Sequence, residues 1–216
     1  MLLVGVISSQ ATSKHGDAVM ETWGGEFLTG GHGDLIVFDS SPMHRVREGH
    51  KLHLSTTDDY AHNTWRFTEF LCYALETINP EYIFNCCDDT YVAVDRLASF
   101  DYKSADYIGQ PCMGYCNESP PYASGGGGFF LSNRAARTLI SDAGFRASSG
   151  TMPSITDQLV GNCLRRNNMA LTPSHRFYSQ PDKQPLPGND LITCHYQHPD
   201  LMRSTHAAYK RFNACQ

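Results

Sequence analysis

Three short apolar runs, Leu2–Ile7, Leu35–Phe38 and Tyr82–Cys86, each stop at polar or turn residues, and helical spacing fills the chain between them. Runs of this length and closure predict strands. Before the third run, Phe67, Phe70, Leu71, Ala74, Leu75 and Ile78 recur at intervals of three and four, which predicts a helix over Thr64–Ile78. Asn79-Pro80 ends it, because proline cannot extend the hydrogen-bond ladder. Ala18–Trp23 predicts a shorter helix. Strands and helices in alternation imply an α/β fold with a mostly parallel central sheet flanked by helices, whose ligands gather at the carboxyl ends of the strands. Ser8, Asp39 and Asp88 stand at such ends.

Downstream, the sequence predicts a strand over Tyr102–Gly109 and a polar loop over Cys112–Ser124. Gly125-Gly126-Gly127-Gly128 then enters the apolar run Phe129-Phe130-Leu131, and Ser132 is placed to cap a helix over Asn133–Ser141. Phe145–Pro153 reads as flexible, Asp157–Arg166 as a helix and the proline-rich Ser174–Asn189 as an irregular loop or lid. Leu191–Tyr196 suggests a last strand and Pro199–Phe212 a terminal helix. No repeat or charge run divides the 216 residues, so a single domain over 1–216 is expected.

The formal charge of −5, with basic residues no more clustered than Arg165-Arg166 or Lys210-Arg211, offers no stripe for a phosphate backbone and argues against nucleic acid as a partner. The apolar start Met1–Ile7 is too short for a membrane span and lacks a basic leader, so it reads as a strand, and a soluble, cytoplasmic protein is the expectation. Of the eight cysteines, Cys112 and Cys116 have the spacing of half a zinc site, but no second pair follows at finger spacing. Buried thiols are the plainer reading, and a thiol-based metal site using Cys86, Cys87, Cys112 and Cys116 is the alternative.

The segment Tyr82-Ile83-Phe84-Asn85-Cys86-Cys87-Asp88-Asp89-Thr90-Tyr91-Val92 carries the chemistry. A buried strand that ends in adjacent carboxylates puts hard oxygen ligands where a divalent cation can meet a diphosphate. An isolated Asp-Asp is otherwise a turn or a helix cap. Here Asp88-Asp89-Thr90-Tyr91-Val92 resembles the Asp-Asp-Asp-Thr-Tyr/Phe-Val motif of the β-1,3-glycosyltransferase family that includes Fringe and core 1 galactosyltransferase. Thr22-Trp23, Phe38-Asp39, Ala123–Ser132, Thr156–Leu164 and His195-Tyr196 with Pro199 and Met202 are similar to further segments of that family, in the same order. The resemblance spans about residues 2–205.

The resemblance implies a GT-A-type fold, with a Rossmann-like nucleotide half over about 1–100 continuous with an acceptor half over about 101–216. It implies a UDP-sugar donor, Mn²⁺ or Mg²⁺, a glycan or glycoprotein acceptor and an inverting course. A retaining transferase and a non-catalytic nucleotide-sugar or glycan-binding domain are the alternatives. Carried onto this chain, Asp89 and His195 would hold the metal, with His198 the near competitor of His195. Asp88, Asp39 and Ser8 would face the nucleoside, and Arg66 the diphosphate unless it is an ordinary exposed helical arginine. Asp157 would be the general base, though Ser154-Ile155-Thr156-Asp157 also has capping-box spacing. Gly125 and Gly126 would let the backbone approach the donor, or simply bend the strand. Tyr122, Trp65 and Tyr115 offer flat faces for sugars or core packing. Family enzymes reside in the Golgi lumen, so a lumenal catalytic domain without its anchor is the alternative location. The chain departs from the family at Cys87, where the first motif aspartate is absent, and at Thr156, where a glutamate is. A thiol is a poor ligand for Mg²⁺ or Mn²⁺, so weaker or altered metal binding is expected.

Overall fold

The computed structural model describes residues 1–112, 121–149, 155–185 and 189–213. Strand β1 (Leu2–Ile7) leads to α1 (Ser13–Glu21), α2 (Trp23–Thr29) and β2 (Asp34–Ser40). The edge hairpin β3 (Val46–Glu48) and β4 (Lys51–Leu54), α3 (Asn63–Tyr73), β5 (Tyr82–Cys87), β6 (Tyr91–Val92) and α4 (Val94–Ala98) follow. Then come β7 (Tyr107–Gly109), β8 (Pro111–Cys112), β9 (Tyr122–Ala123), β10 (Phe129–Ser132), α5 (Asn133–Ser141) and α6 (Ala143–Ser149). The chain continues through α7 (Thr156–Arg166), β11 (Thr172–Pro173), β12 (Phe177–Tyr178), β13 (Thr193–Cys194) and α8 (Pro199–Asn213).

The main sheet runs β11-β7-β10-β5-β1-β2-β4-β3. Its centre, β5-β1-β2-β4, is parallel, and β10 inserts antiparallel between β5 and β7. Because helices cover both faces, the central strands are apolar on both sides, which is why they read as continuous runs. Alternation along β1 sends Leu2, Val4 and Val6 into one core with Trp23, Phe27 and Met202. Leu3 enters the other, with Phe67, Phe70, Leu71 and Leu164. Gly5 leaves the space that the Phe70 ring fills, and that ring stacks on Phe38 at a centroid distance of 4.2 Å.

Several sequence expectations are refined. The Thr64–Ile78 helix is present, but its last turn, Ala74–Ile78, is π-helical and closes through the bond from Asn79 N to Ala74 O at 2.8 Å. Ser132 caps α5, accepting from Ala135 N at 3.1 Å. The flexible stretch expected over Phe145–Pro153 is corrected in its described part: Ala143–Ser149 is helical, because Asp142 accepts from Phe145 N at 2.8 Å and Phe145 is buried in the core, while 150–153 lie outside the described residues. The Tyr102–Gly109 strand shrinks to β7, since Tyr102–Ser104 forms a 3₁₀ turn. The last strand is only Thr193–Cys194, ended where Tyr196 turns to φ 60°. Among the described residues no helix is long and apolar enough to cross a membrane.

The Phe38–Phe70 stack over Gly5 anchors α3 to the sheet. Phe70→Ala should therefore cost about 3–5 kcal/mol of unfolding free energy in urea denaturation. A loss below about 1 kcal/mol would contradict this account of the α3 interface.

Candidate functional site

Strand β5 ends in the sheet's centre and hands over to Asp88 and Asp89 in a tight turn, with Thr90 N bonded to Cys87 O at 3.1 Å. Asp88 points back toward β1. Its Oδ2 accepts from Ser8 Oγ at 2.7 Å and from Thr12 Oγ1 at 2.6 Å. Burial pushes its carboxyl above the ordinary aspartate range, and the Thr12 and Ser8 hydroxyls work against that push. Ser8 and Asp88 thus meet each other, and Thr12, which no sequence pattern singled out, completes the group.

Asp89 faces the other way, and its partner arrives through the small sheet. β13 pairs antiparallel with β6 in the register Thr193↔Val92 and Cys194↔Tyr91. One step further along both strands brings the residue after Cys194 beside the turn before Tyr91. His195 Nε2 lies 3.0 Å from Asp89 Oδ1. Gln197, fully buried, fixes the arrangement by donating its backbone N–H to Asp89 O at 2.8 Å. His198 is exposed and accepts from Leu201 N at 3.3 Å at the start of α8, so His195 is the histidine that meets Asp89.

Cys87 joins them. Ligand atoms of Cys87, Asp89 and His195 all lie within 4.8 Å of one another, among the described residues the one such group of His, Cys, Asp or Glu. Burial first, then the carboxylates of Asp89 and Asp157, pushes the Cys87 thiol well above its ordinary range.

The glycine run is the floor of this site. Gly125 N donates to Asp157 Oδ2 at 2.7 Å, and a Cβ on Gly125 would overlap the Asp157 carboxylate. A Cβ on Gly126 would overlap the His195 ring. The space that the sequence reading gave to the donor is taken at these two positions by the protein's own side chains. Asp157 sits in the first turn of α7, whose N-cap is Ile155 and has no side-chain capping bond. Ser154, the start of the expected capping box, lies outside the described residues. The Asp157 carboxylate instead crosses to the glycine turn. Burial raises its pKa against the Gly125 N–H and the nearby His195.

Arg66 corrects the sequence reading. It is neither an exposed helical arginine nor positioned to meet a diphosphate: it is 2% exposed and its donors are committed. They reach Ser8 O at 2.7 Å, Ser40 Oγ at 2.9 Å, Asn63 Oδ1 and Thr57 O at 3.1 Å, Asp58 Oδ1 at 3.3 Å and Asp59 O at 3.4 Å. Asp39 Oδ1 pairs with His53 Nδ1 at 2.7 Å across β2 and β4. Beyond the ends of β1, β2 and β4 lies a cleft of about 430 Å³ lined by Gln10, Ser40, Pro42, Thr57, Asp58 and Trp65. Among the described residues Trp65 is the one expected aromatic that lines this cleft. Tyr122 is buried in the fold, and Tyr115 and Cys116 lie outside the described residues.

The sequence matches no protein-family model and no curated protein sequence. Its fold is similar to solved structures. The galactosyltransferase LgtC, solved with donor and acceptor sugar analogs, superposes with a TM-score of 0.55 at 9% identity, over 97% of this chain and 96% of that one. The apo-form glycosyltransferase GlyE of Streptococcus pneumoniae TIGR4 gives 0.52 at 10% identity over 99% of this chain, which spans 63% of that protein's length. The inositol-1-phosphate CTP transferase of T. maritima gives 0.53 at 10% identity, over 94% of this chain and 95% of that one. The mixed α/β architecture, a large central sheet flanked by helices, matches GT-A glycosyltransferases. Resemblance to the Fringe-type family rests on the sequence motifs alone.

The raised Asp157 carboxyl has a consequence for stability. The folded state holds this proton to higher pH than the unfolded state, whose carboxyl titrates near 3.8, so ionising it weakens folding as pH rises through the window above that value. Asp157→Asn removes the loss. The variant's melting temperature relative to the parent should therefore climb as pH rises above about 4. A difference that is flat or falls over that range would show that Asp157 is not held in this way.

Proposed function

We propose that this chain is a glycosyltransferase that moves a sugar from a UDP-sugar to a hydroxyl of a glycan or glycoprotein acceptor. The observation that carries the proposal is the convergence of Asp157, Asp89, His195 and Cys87 around the Gly125–Gly126 turn at the carboxyl edge of the sheet. The motif order in the sequence and the fold's likeness to glycosyltransferases support it. Because the same fold is similar to a CTP transferase, the fold leaves the choice between glycosyl and nucleotidyl transfer to the site residues.

In this reading the nucleoside end of the donor lies in the half over about 1–100. The Trp65 cleft and the Ser8–Asp88–Asp39 edge bind it there, while Arg66 holds the surrounding loops in place. Asp157, with a carboxyl whose proton affinity is raised, takes the proton of the acceptor hydroxyl as its oxygen attacks the anomeric carbon. The new carbon–oxygen bond forms as the bond to the diphosphate breaks, and UDP leaves with the bonding pair. Attack opposite the leaving group gives inversion. The donor set of Cys87, Asp89 and His195 fits a divalent cation, and these residues would hold it. A cation bound there offsets the charge that gathers on the departing diphosphate.

The proposal is tested first by calorimetry with UDP. Binding should need a divalent cation, and Asp89→Ala should abolish the part that EDTA removes. Binding of CTP in preference to UDP would overturn the donor assignment. Undiminished cation-dependent binding by Asp89→Ala would remove Asp89 from the site.

Asp157→Asn separates chemistry from binding, since an amide cannot accept the acceptor's proton. It should keep UDP binding and lower sugar transfer by roughly 10²–10⁴-fold. Near-normal transfer would exclude Asp157 as the base.

A further inference from the structure

The residue at which this chain departs from the motif it resembles does not lie outside the site. Cys87 supplies one of three donor atoms, with Asp89 and His195, that all fall within 4.8 Å of one another. We infer that Cys87 is a metal ligand in its own right, and that the thiolate–carboxylate–imidazole set selects a borderline cation such as Zn²⁺ or Co²⁺ over Mg²⁺ or Mn²⁺. The inference deepens the metal element of the proposed function but does not depend on sugar transfer.

The scaffold holds these donors in place. Cys87 is the last residue of β5, paired with Ile7 of β1 in the middle of the main sheet. Asp89 is tied to the His195 loop by the bond from Gln197 N to Asp89 O at 2.8 Å. Gln197 is fixed in turn by Thr205 of α8, whose hydroxyl donates to Gln197 Oε1 at 3.1 Å. Thr90 Oγ1 donates to Gly126 O at 3.0 Å, which locks the turn below the His195 ring. Bringing the three donors together therefore costs little further ordering. Strand alternation also decides which thiol is available. Cys86 is fully buried in the core with Val6 and Phe84, whereas Cys87 points to the opposite face and is half-buried beside Asp89.

The donor types then set the preference. Mg²⁺ and Mn²⁺ favour oxygen ligands, and an aspartate in place of Cys87 would suit them. A thiolate with an imidazole and a carboxylate is a donor set for Zn²⁺ or Co²⁺, and three protein ligands leave a coordination position open to solvent or to a ligand oxygen. The Asp89 and His195 side chains retain 27% and 15% of their exposure, so a cation can reach them from solvent. Coordination replaces the thiol proton, which passes to solvent, and no redox step is involved.

The test uses the metal-stripped chain and Co²⁺ alone, without nucleotide. One equivalent of Co²⁺ should produce thiolate-to-cobalt charge-transfer absorption in the near ultraviolet. The band should vanish in both Cys87→Ser and Cys87→Asp and persist in Cys86→Ala. In competition titrations Cys87→Ser should weaken Zn²⁺ binding at least about tenfold, and Cys87→Asp should narrow the gap between Zn²⁺ and Mn²⁺. Near-ultraviolet circular dichroism of each variant checks that it is folded, and two different replacements at Cys87 guard against the failure of one. No cobalt binding, cobalt binding without the band, or a band that survives both Cys87 replacements would overturn the inference. None of these outcomes touches the choice between UDP and CTP, which tests the transferase proposal separately.

Discussion

A guanidinium buried in the interior has to be satisfied, and the loops at the carboxyl edge of the sheet are arranged around that need. Removing an arginine's charge from water is costly unless every donor finds an acceptor. Arg66 finds them at the end of β2 and on the loops after β1 and β4, through Ser40, Ser8, Thr57, Asp58 and Asp59. Asp58 and Asp39 head the nearby negative charges that favour its charged form against burial. By holding the Ser8 carbonyl, Arg66 also sets the Ser8 hydroxyl that donates to Asp88 at 2.7 Å. One internal cation thus orders the rim of the Trp65 cleft and orients the first carboxylate of the motif.

The second constraint is volume. Two side chains from the later part of the chain, Asp157 and His195, must come down on the end of β5, and only backbone without Cβ atoms at Gly125 and Gly126 leaves them room. Each then fulfils a separate requirement. Asp157 gains the Gly125 N–H, and His195 gains Asp89. The small sheet of β12, β13 and β6 supplies the register that delivers the histidine. Packing and chemistry are satisfied by the same few residues, so a methyl group added at Gly126 would act on the His195 position rather than on the fold as a whole.

The electrostatics of the site follow from gathering Asp88, Asp89, Asp157 and Cys87 in a small, half-buried space. Desolvation raises Asp88, Asp157 and the Cys87 thiol together, and neighbouring carboxylates push the thiol further. His15 near Asp88 and His195 near Asp157 work against that rise. Shifted groups gathered in this way mark the carboxyl edge of the sheet as the candidate site.

Much of the fold was legible locally. The central strands, the helical span over Thr64–Ile78, the Ser132 cap and α7 all follow from apolar spacing, capping and proline, which act over a few residues, whereas the π-helical end of that span was not foreseen. The edge hairpin β3–β4 and the two-residue strands of the small sheet did not announce themselves, because pieces so short have no periodicity of their own. Of the candidate site, the motif order singled out Asp88, Asp89, Asp157 and His195 as candidates, of which the structure brings Asp89 and His195 together. It misjudged Arg66 because helical spacing does not reveal which helical face the neighbouring loops will cover. It treated Cys87 as a departure from the motif, or as one of four thiols in an alternative site with Cys86, Cys112 and Cys116, and not as a neighbour of His195. By itself, then, the sequence determined the layered α/β architecture and the residue types available at the carboxyl edge, since hydrophobic alternation encodes both. Only the tertiary structure decided which of those residues meet: His195 with Asp89 rather than His198, Asp157 with the glycine turn, Cys87 inside the donor set and Arg66 in the interior. These pairings depend on registers between strands far apart in the chain and on space left by absent side chains, which no local pattern records.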